Sequence, residues 1–510
     1  MGSRDSRTVN VALNTIWALA SQMALVMLGI FSRKIFLDYL GIELLGVNSL
    51  FADVLVLFSF ADLGFGAAIM FSMYKPIAEA DDEKVSSLLL LYRTIYRYVI
   101  VVLIIMSLSF VPFLQYIKTG IPVGELTIYY IFFQITNIAE YVWAYRESYV
   151  IACQHERELT IANLLYGVII RIVQIIGIVI FADFILYLTV GLFGVAIKKV
   201  AINYYIKRKY PVTCIYNAKE LDKNERKEIM HKSLALVVTR IGNLVINQTD
   251  SLIVSYMINV TQWGLASNYL IIKKALFTIS DKIYSGILPS MGNLVAENQN
   301  DRELQTFLKY DFLNAWMHTF FFIALACLSN LFIRLFFGQQ ATLSNVFVFV
   351  FFFASFIDGL RSPMSLMREA SGLFEQDKWC ITLAAIVNVV FSIPLAHIWG
   401  LVGVYIGTIC AMTALHITRT LVLFNQGKYE MTALKYYYLL IKHIFVGVVL
   451  YMFTYCAVIW LDNVVQNIYV SFILSGIAVC FIPNIMWVAI YRNNNNCKWV
   501  VDFIKRQLLY

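Results

Sequence analysis

The sequence predicts an all-α integral membrane protein with fourteen transmembrane helices. The 510-residue chain is 60% hydrophobic and 14% charged, whereas about a quarter of the residues in soluble proteins are charged. Apolar runs of about 20 residues, the length that a helix needs to cross a bilayer, recur along the whole chain. The alternating pattern of a membrane β-barrel is absent, so helices must satisfy the backbone hydrogen bonds in lipid.

The predicted spans follow one another with short connections. Residues 379–418 contain no Asp, Glu, Lys or Arg. This run is too long for one span, so it must hold two helices, and Pro394, Gly400 and Gly403 mark the break between them. The fourteen spans are 11–32, 43–71, 90–113, 125–148, 160–182, 184–206, 233–258, 264–288, 310–333, 343–366, 379–399, 401–424, 438–461 and 467–491.

The basic residues indicate how the chain is oriented. With the amino terminus in the cytoplasm, most of the 40 Lys and Arg fall on the cytoplasmic side, as the positive-inside rule requires. We therefore expect both termini to be cytoplasmic. The basic residues on the outer side are Arg33, Lys34, Lys118 and Arg334, and those assigned to the spans are Arg171, Arg240, Lys273, Lys274, Lys282 and Arg361.

A short basic stretch divides the chain into two predicted lobes. Residues 46–51, which open the second span, are echoed by residues 264–269, which open the eighth. Two parallel repeats of this kind place a binding site at their interface. The predicted segments are an amino-terminal lobe of six helices (1–206), a cytoplasmic linker (207–232), a carboxyl-terminal lobe of six helices (233–428), and two further helices with a cytoplasmic tail (429–510).

Polar residues follow one face of the seventh and eighth predicted spans. A charge at the bilayer centre costs about 2.5–3.5 kcal/mol, so such residues are kept where they face a cavity or one another. Each set recurs at helical spacing. Together they predict a hydrated, partly cationic wall, and structural pairing of these charges between helices is the alternative. The two sets are Arg240, Asn243, Asn247 and Asp250, and Ser267, Lys274, Thr278, Asp281 and Ser285.

Three further residues are candidates for the same binding site. Arg33 ends the first span on the outer side, where it either faces the cavity or extends to the membrane interface. Asp62 interrupts the second span. Arg361 follows Asp358 by three residues in the tenth span, so these two side chains could instead pair with each other.

Several functional classes are excluded by the sequence. The glycine-rich loop that binds nucleotide phosphates is absent, and no segment outside the spans is large enough for a catalytic domain. We therefore expect neither an enzyme nor a chain that hydrolyses ATP. The eight cysteines are scattered and predict no metal site and no cofactor. The net charge of +8 reflects membrane topology, so no nucleic-acid partner is expected.

Segments distributed over nearly the whole chain resemble those of a known family. They are residues 33–46, 59–68, 74–79, 249–253, 267–269, 370–374 and 400–408. With these segments the chain resembles the Wzx-like repeat-unit flippases, within the multidrug/oligosaccharidyl-lipid/polysaccharide exporter superfamily. The resemblance implies a V-shaped pair of six-helix lobes around a central cavity. It also implies a bacterial inner-membrane location and an undecaprenyl-pyrophosphate-linked oligosaccharide as substrate. Membrane lipids are the other expected partner, and a polymerase of the same pathway is a candidate.

Three rival functions are compatible with parts of this pattern. A multidrug extruder of the same superfamily would have acidic and aromatic residues in its cavity and usually twelve spans. A peptidoglycan-precursor flippase is separated only weakly by the sequence. A membrane polysaccharide polymerase would need a long outer loop with catalytic residues, and the predicted outer loops are short.

Overall fold

The computed structural model describes the backbone of residues 2–508 except 60–64, 216–217, 298 and 426–427. Side chains are described from residue 27 onward, except those of 65, 67–68, 224, 228–240, 243, 247, 374, 503–504 and 506–508. Helices account for nearly all of this described chain, and it contains no strand. The predicted all-α fold is therefore confirmed.

The chain divides into two compact units. Unit 1 comprises Met1–Leu244 and Asn259–Gly264, and unit 2 comprises Val245–Ile258 and Leu265–Tyr510. This division falls inside two long helices, α8 (Lys223–Met257) and α9 (Val260–Ala296). The predicted division into lobes at residues 207–232 stays a prediction.

Unit 1 contains the helices that precede α8. Short 3-10 turns at Val111–Tyr116 and Pro211–Cys214 connect some of them. The helices are α1 (Gly2–Phe58), α2 (Phe65–Ala78), α3 (Asp82–Phe110), α4 (Val123–Tyr141), α5 (Ala144–Ala152), α6 (Glu156–Phe181) and α7 (Phe184–Lys209).

Helix α1 corrects the expected loop between the first two spans. Residues 33–42 are helical except at Gly41, where a φ of 83° breaks the helix. Glycine adopts this left-handed conformation readily, so the chain bends at Gly41 and then continues as helix. Lys34 and Asp38 lie on the helix surface, where they pair one turn apart at 3.2 Å.

Helix α1 crosses the start of α9 at two glycines. A Cβ atom on Gly46 would collide with the carbonyl oxygen of Val260, and a Cβ atom on Gly264 would lie 2.8 Å from the carbonyl oxygen of Ile42. The backbones therefore approach as closely as they do in other crossings between small residues. Gly46 and Gly264 begin the two echoed segments, so the crossing brings the first residues of both segments together.

Unit 2 contains the remaining helices. Gly400 separates α13 from α14 and has a φ of 57°, which confirms the predicted break in residues 379–418. The pair packs closely, and the Ser392 hydroxyl donates to the carbonyl oxygen of Val404 at 3.1 Å. The helices after α9 are α10 (Asn300–Phe337), α11 (Asn345–Leu360), α12 (Ser362–Ala370), α13 (Phe374–Trp399), α14 (Leu401–Phe424), α15 (Ala433–Val464), α16 (Ile468–Tyr491) and α17 (Asn495–Leu508).

Ten helical segments of the described chain are long and apolar enough to cross a membrane, as expected of a multi-pass membrane protein. The predicted spans at 11–32, 125–148, 233–258 and 264–288 are not among them. Side chains before residue 27 lie outside the description. The fourth predicted span is interrupted at Trp143, which has a φ of 61°, and α8 and α9 carry the polar residues noted above. The count of fourteen therefore stays a prediction.

The basic linker is tied to the beginning of α3. Lys219 pairs with Glu83 at 2.5 Å, and Lys84 pairs with Glu225 at 2.5 Å. The predicted start of the seventh span, residue 233, falls well inside α8, which begins at Lys223. Residues 223–232 of the predicted linker are therefore helical.

The predicted cytoplasmic tail also contains a helix, α17, which packs on α10. Cys497 and Val500 are buried, and the Asn496 side chain donates to the carbonyl oxygen of Leu308 at 3.3 Å. Lys309 lies over the ring of Trp499, 5.5 Å from its centre. These contacts attach the tail to unit 2.

Candidate functional site

One face of α9 carries exposed polar side chains, as its spacing predicted. Lys274, Asp281 and Ser285 are exposed, and Thr278 is half-buried. Thr278 donates its hydroxyl hydrogen to the carbonyl oxygen of Lys274 at 2.8 Å. The donor of this hydroxyl is therefore hydrogen-bonded within its own helix. Within the described part of the chain neither Lys274 nor Asp281 takes part in an ion pair. Ser267 differs from these four, because it is buried.

The matching face of α8 is described in part. Arg240, Asn243 and Asn247 lie on the helix, but their side chains are outside the description. Asp62, the candidate in the second predicted span, lies outside the described residues altogether. The roles predicted for these four residues stay predictions.

Asp250 belongs to a hydrogen-bonded chain between α8, α13 and α14. The Thr408 hydroxyl donates to Asp250 Oδ2 at 3.0 Å and accepts from Asn388 Nδ2 at 3.3 Å. Thr249 donates to Asn388 Oδ1 at 3.0 Å. Asp250 is buried, so its carboxylate holds α8 against its neighbours within unit 2.

Arg361 pairs with Asp358, which is the structural alternative considered from the sequence. Arg361 Nε lies 2.7 Å from Asp358 Oδ1. Asp358 also interacts electrostatically with Lys273 of α9 and His318 of α10. The Lys273 ammonium lies over the ring of Phe277, 5.2 Å from its centre. The charges near the junction of α11 and α12 are therefore largely balanced.

A second group of buried charges was missed by the sequence analysis. Arg419 of α14 donates from Nε and Nη2 to the two carboxylate oxygens of Asp377, at 2.6 and 3.0 Å. Arg368 pairs with the same carboxylate at 2.5 Å. Ser365 connects this group to Arg361, since it accepts from Arg419 at 3.0 Å and from Arg361 at 3.5 Å. A cavity of about 10 Å³ lies beside Arg368 and Arg419 and has room for about one water molecule.

Position in the sequence explains why this group was missed. Asp377 precedes its predicted span, and Arg419 lies near the end of the next one, so neither was considered among the charged residues within the spans. The pair could have been predicted from the helical hairpin. The two ends of a hairpin meet, which brings the start of α13 next to the end of α14.

Arg33 lies in unit 1 and is held by that unit. Its Nη2 is 3.4 Å from the Ser49 hydroxyl and 3.5 Å from the carbonyl oxygen of Gly264. Asp53 and Tyr187 also interact with it electrostatically. Arg33 therefore supports the crossing of α1 and α9, and its predicted role toward a substrate stays a prediction.

The described residues thus include paired charges and exposed charges. Arg361, Arg368 and Arg419 have carboxylate partners in unit 2, whereas Lys274 presents its ammonium at the surface of a largely apolar chain. The described residues include no cluster of His, Cys, Asp and Glu that could hold a metal ion. Such an arrangement can attract an anionic group to the polar face of α9.

The fold is similar to that of several solved membrane-protein structures. The structure of the lipid II flippase MurJ in an inward closed conformation aligns with a TM-score of 0.62 and 16% identity, over 93% of this chain and 98% of that one.

Two multidrug transporter structures are also similar. An inward-facing multidrug resistance MATE family transporter aligns with a TM-score of 0.62 and 13% identity, over 77% of this chain and 92% of that one. The MATE multidrug transporter DinF-BH aligns with a TM-score of 0.54 and 16% identity, over 80% of this chain and 93% of that one. No protein-family model matches the sequence, and no curated protein matches it.

Proposed function

We propose that the chain is a flippase that moves an undecaprenyl-pyrophosphate-linked oligosaccharide repeat unit from the cytoplasmic to the outer leaflet of a bacterial inner membrane. It does so by alternating access of a cationic cavity and is not an enzyme. The exposed ammonium of Lys274 on the polar face of α9 carries the proposal. A pyrophosphate with a sugar cannot enter hydrocarbon unaided, because desolvating its charges costs far more than binding returns. A hydrated cationic face removes most of that cost.

The substrate contacts are proposed residue by residue. The diphosphate binds Arg240 and Lys274, and Asn243, Asn247 and Asp281 line the hydrated wall beside them. Asp250 and Arg361 act through the hydrogen bonds and ion pair described above, which fix the helices that carry the wall. Arg33 and Asp62 are the proposed contributors from unit 1.

The comparison with MurJ supports a lipid-linked substrate. That protein is described as a lipid II flippase, and its alignment covers 93% of this chain. The alignment with the inward-facing MATE family transporter covers 77% of this chain. The chain therefore matches the flippase over a longer stretch than it matches the drug transporter. The inner-membrane location, the cytoplasmic termini and a polymerase partner stay predictions from the sequence.

Two other functions are second candidates. The likeness to MurJ favours a flippase for a peptidoglycan precursor, and the likeness to the MATE transporters favours a multidrug antiporter. A drug antiporter needs acidic groups for organic cations. Asp250 and Asp358, both in unit 2, already have hydrogen-bond or ion-pair partners, so Asp281, which is exposed on α9, would have to bind such a cation.

A reconstituted flipping assay tests the proposal. Proteoliposomes without ATP receive an undecaprenyl-pyrophosphate oligosaccharide, lipid II or an organic cation. We expect the wild-type chain to flip the first. Lys274→Gln should slow flipping by at least about tenfold, because a charged contact to the diphosphate is lost.

Lys274→Arg is the matched control, because it keeps the charge and should retain most of the activity. Normal flipping by folded Lys274→Gln would refute the binding role. Transport of lipid II or the organic cation instead of the oligosaccharide would identify one of the second candidates.

A further inference from the structure

A polar cavity lies between the carboxyl ends of α10 and α15, away from the polar face of α9. Its volume is about 240 Å³. Sites for drug-sized ligands start at about 300 Å³, so this one suits a smaller molecule. We call it the α10–α15 cavity. Its lining residues are Cys327, Asn330, Leu331, Arg334, Gln339, Thr342, Asn345, Tyr455, Val458, Ile459, Asp462 and Asn463.

The charges of the cavity cancel each other. Arg334 Nη2 donates to Asp462 Oδ1 at 2.8 Å, and the Ser471 hydroxyl donates to the same oxygen at 2.9 Å. This fixes the guanidinium and the carboxylate. Because one positive and one negative group face the cavity, an anionic ligand gains little there.

The pair keeps hydrogen-bonding capacity toward the cavity. Arg334 Nε is buried and has no described partner, although a buried donor without a partner is costly. Asp462 Oδ2 accepts no hydrogen bond from the described residues, since both bonds to this carboxylate go to Oδ1. Arg334 Nε is enclosed by the protein, so a ligand that donates a hydrogen bond would satisfy Asp462 Oδ2 alone.

Amides and a tyrosine complete the polar lining. Asn330 is fixed by Tyr269, the carbonyl oxygen of Leu343 and Asn345, at 2.5, 3.1 and 2.8 Å. Gln339 and Asn463 are exposed, and no described residue bonds to either side-chain amide. Each amide offers two donors and a carbonyl acceptor. Tyr455 stacks on Tyr451 with ring centres 5.3 Å apart, so its ring is held as part of the wall.

We propose that the α10–α15 cavity binds one neutral sugar ring. A pyranose presents hydroxyl groups that donate and accept, which the guanidinium–carboxylate pair and the amides match, and an apolar ring face, which suits Tyr455 and Val458. The volume limits the ligand to a single ring. The proposal rests on the proposed function only for the origin of the sugar, which would be the exported oligosaccharide. In the predicted orientation the cavity lies on the outer side, where the oligosaccharide is delivered.

The test uses the full chain in lipid nanodiscs and saturation-transfer NMR. The probes are galactose, glucose, mannose, N-acetylglucosamine and N-acetylgalactosamine, with phosphoethanolamine as a probe for a lipid headgroup. We expect saturation of at least one neutral sugar. Asn463→Trp fills the cavity from an exposed position and should abolish the signal. Gln466→Trp places the same side chain at an exposed residue outside the lining and should leave it unchanged.

A milder pair of variants keeps the test independent of the tryptophan. Gln339→Ala should weaken sugar binding about fivefold, the value of one lost hydrogen bond. Gln340→Ala, its exposed neighbour outside the lining, should not weaken it. Absence of any neutral-sugar signal in the wild type, a signal that persists in Asn463→Trp, or binding of phosphoethanolamine alone would overturn the proposal.

This test separates the cavity from the proposed function. Sugar binding that Asn463→Trp abolishes, in a chain that flips no lipid-linked oligosaccharide, would leave the cavity assignment intact and refute the flippase. Flipping of the oligosaccharide by a chain that binds no neutral sugar would support the flippase and refute the cavity assignment.

Discussion

Asp377 is the residue that Arg368 and Arg419, two charged residues of unit 2, both contact. Its carboxylate accepts from both Arg419 and Arg368, and the side chains of Asp377 and Arg419 are only 1% and 5% exposed. Three hydrogen bonds to one carboxylate compensate for much of its desolvation. Losing this carboxylate therefore leaves Arg419 without its counter-charge, while Arg368 keeps its ion pair with Glu369 at 2.5 Å.

Replacing this carboxylate should destabilise the protein strongly. We expect Asp377→Asn to lower the free energy of unfolding by about 3–5 kcal/mol, because a buried cation loses its partner. The measurement is thermal unfolding in detergent at one fixed heating rate, together with expression level.

Asp38→Asn is the matched control. It removes the same group from a pair with Lys34 in which the side chains are 47% and 43% exposed, and should cost at most about 1 kcal/mol. Equal effects of the two substitutions would show that the pairing of Asp377 contributes no special stability.

Some features of individual residues could be predicted from the sequence. The polar face of α9 was predictable, because exposed positions recur at helical spacing and Lys274, Asp281 and Ser285 obey that period. Asp250 was predicted to lie on the polar face of the seventh span, whereas the hydrogen bond that it accepts comes from Thr408, 158 residues away. No local sequence pattern predicts which neighbouring helix a buried carboxylate will contact, because tertiary packing decides that.

At the scale of elements, the crossing of α1 and α9 depends on Gly46. We expect Gly46→Ala to lower the free energy of unfolding by about 1–3 kcal/mol, because the added methyl group collides with the backbone at Val260. Flipping activity should fall as well if the crossing must stay closed during transport. Both are measured on the same purified protein.

Gly29→Ala controls for helix propensity. It lies in the same helix, and a Cβ atom there meets nothing within 4 Å, so it should be neutral or stabilise by about 0.5–1 kcal/mol. A tolerated Gly46→Ala would show that the two backbones can separate at little cost.

The elements themselves were predictable to different degrees. The break at Gly400 was found because a charge-free run of that length cannot be one helix. Residues 33–42 were left between the first two predicted spans, because the charge-free run of residues 11–32 ends at Arg33. In the structure Glu43 accepts instead from Thr119 at 2.7 Å, and Lys34 pairs with Asp38, so the charges are accommodated along a helix.

At the scale of the whole molecule, the predicted orientation can be tested with two single cysteines. Lys219→Cys lies in the linker, and Gln466→Cys lies between α15 and α16. With cytoplasmic termini, a membrane-impermeant maleimide added to intact cells should label Gln466→Cys and leave Lys219→Cys unlabelled.

The background for this experiment must lack the exposed cysteines Cys456 and Cys480, for which serine is a suitable replacement. Permeabilised cells provide the control, because both positions should then react. Labelling of Lys219→Cys from outside intact cells would contradict the orientation.

The hairpin of α13 and α14 has a consequence for biogenesis. A ribosome delivers α13 to the insertion machinery after α12 and before α14, so Asp377 first meets Arg368. Arg419 follows 42 residues later, on the next helix and at the same end of the hairpin. We therefore expect α13 to leave the translocon together with α14, since Arg419 is itself buried and needs this carboxylate as its counter-charge.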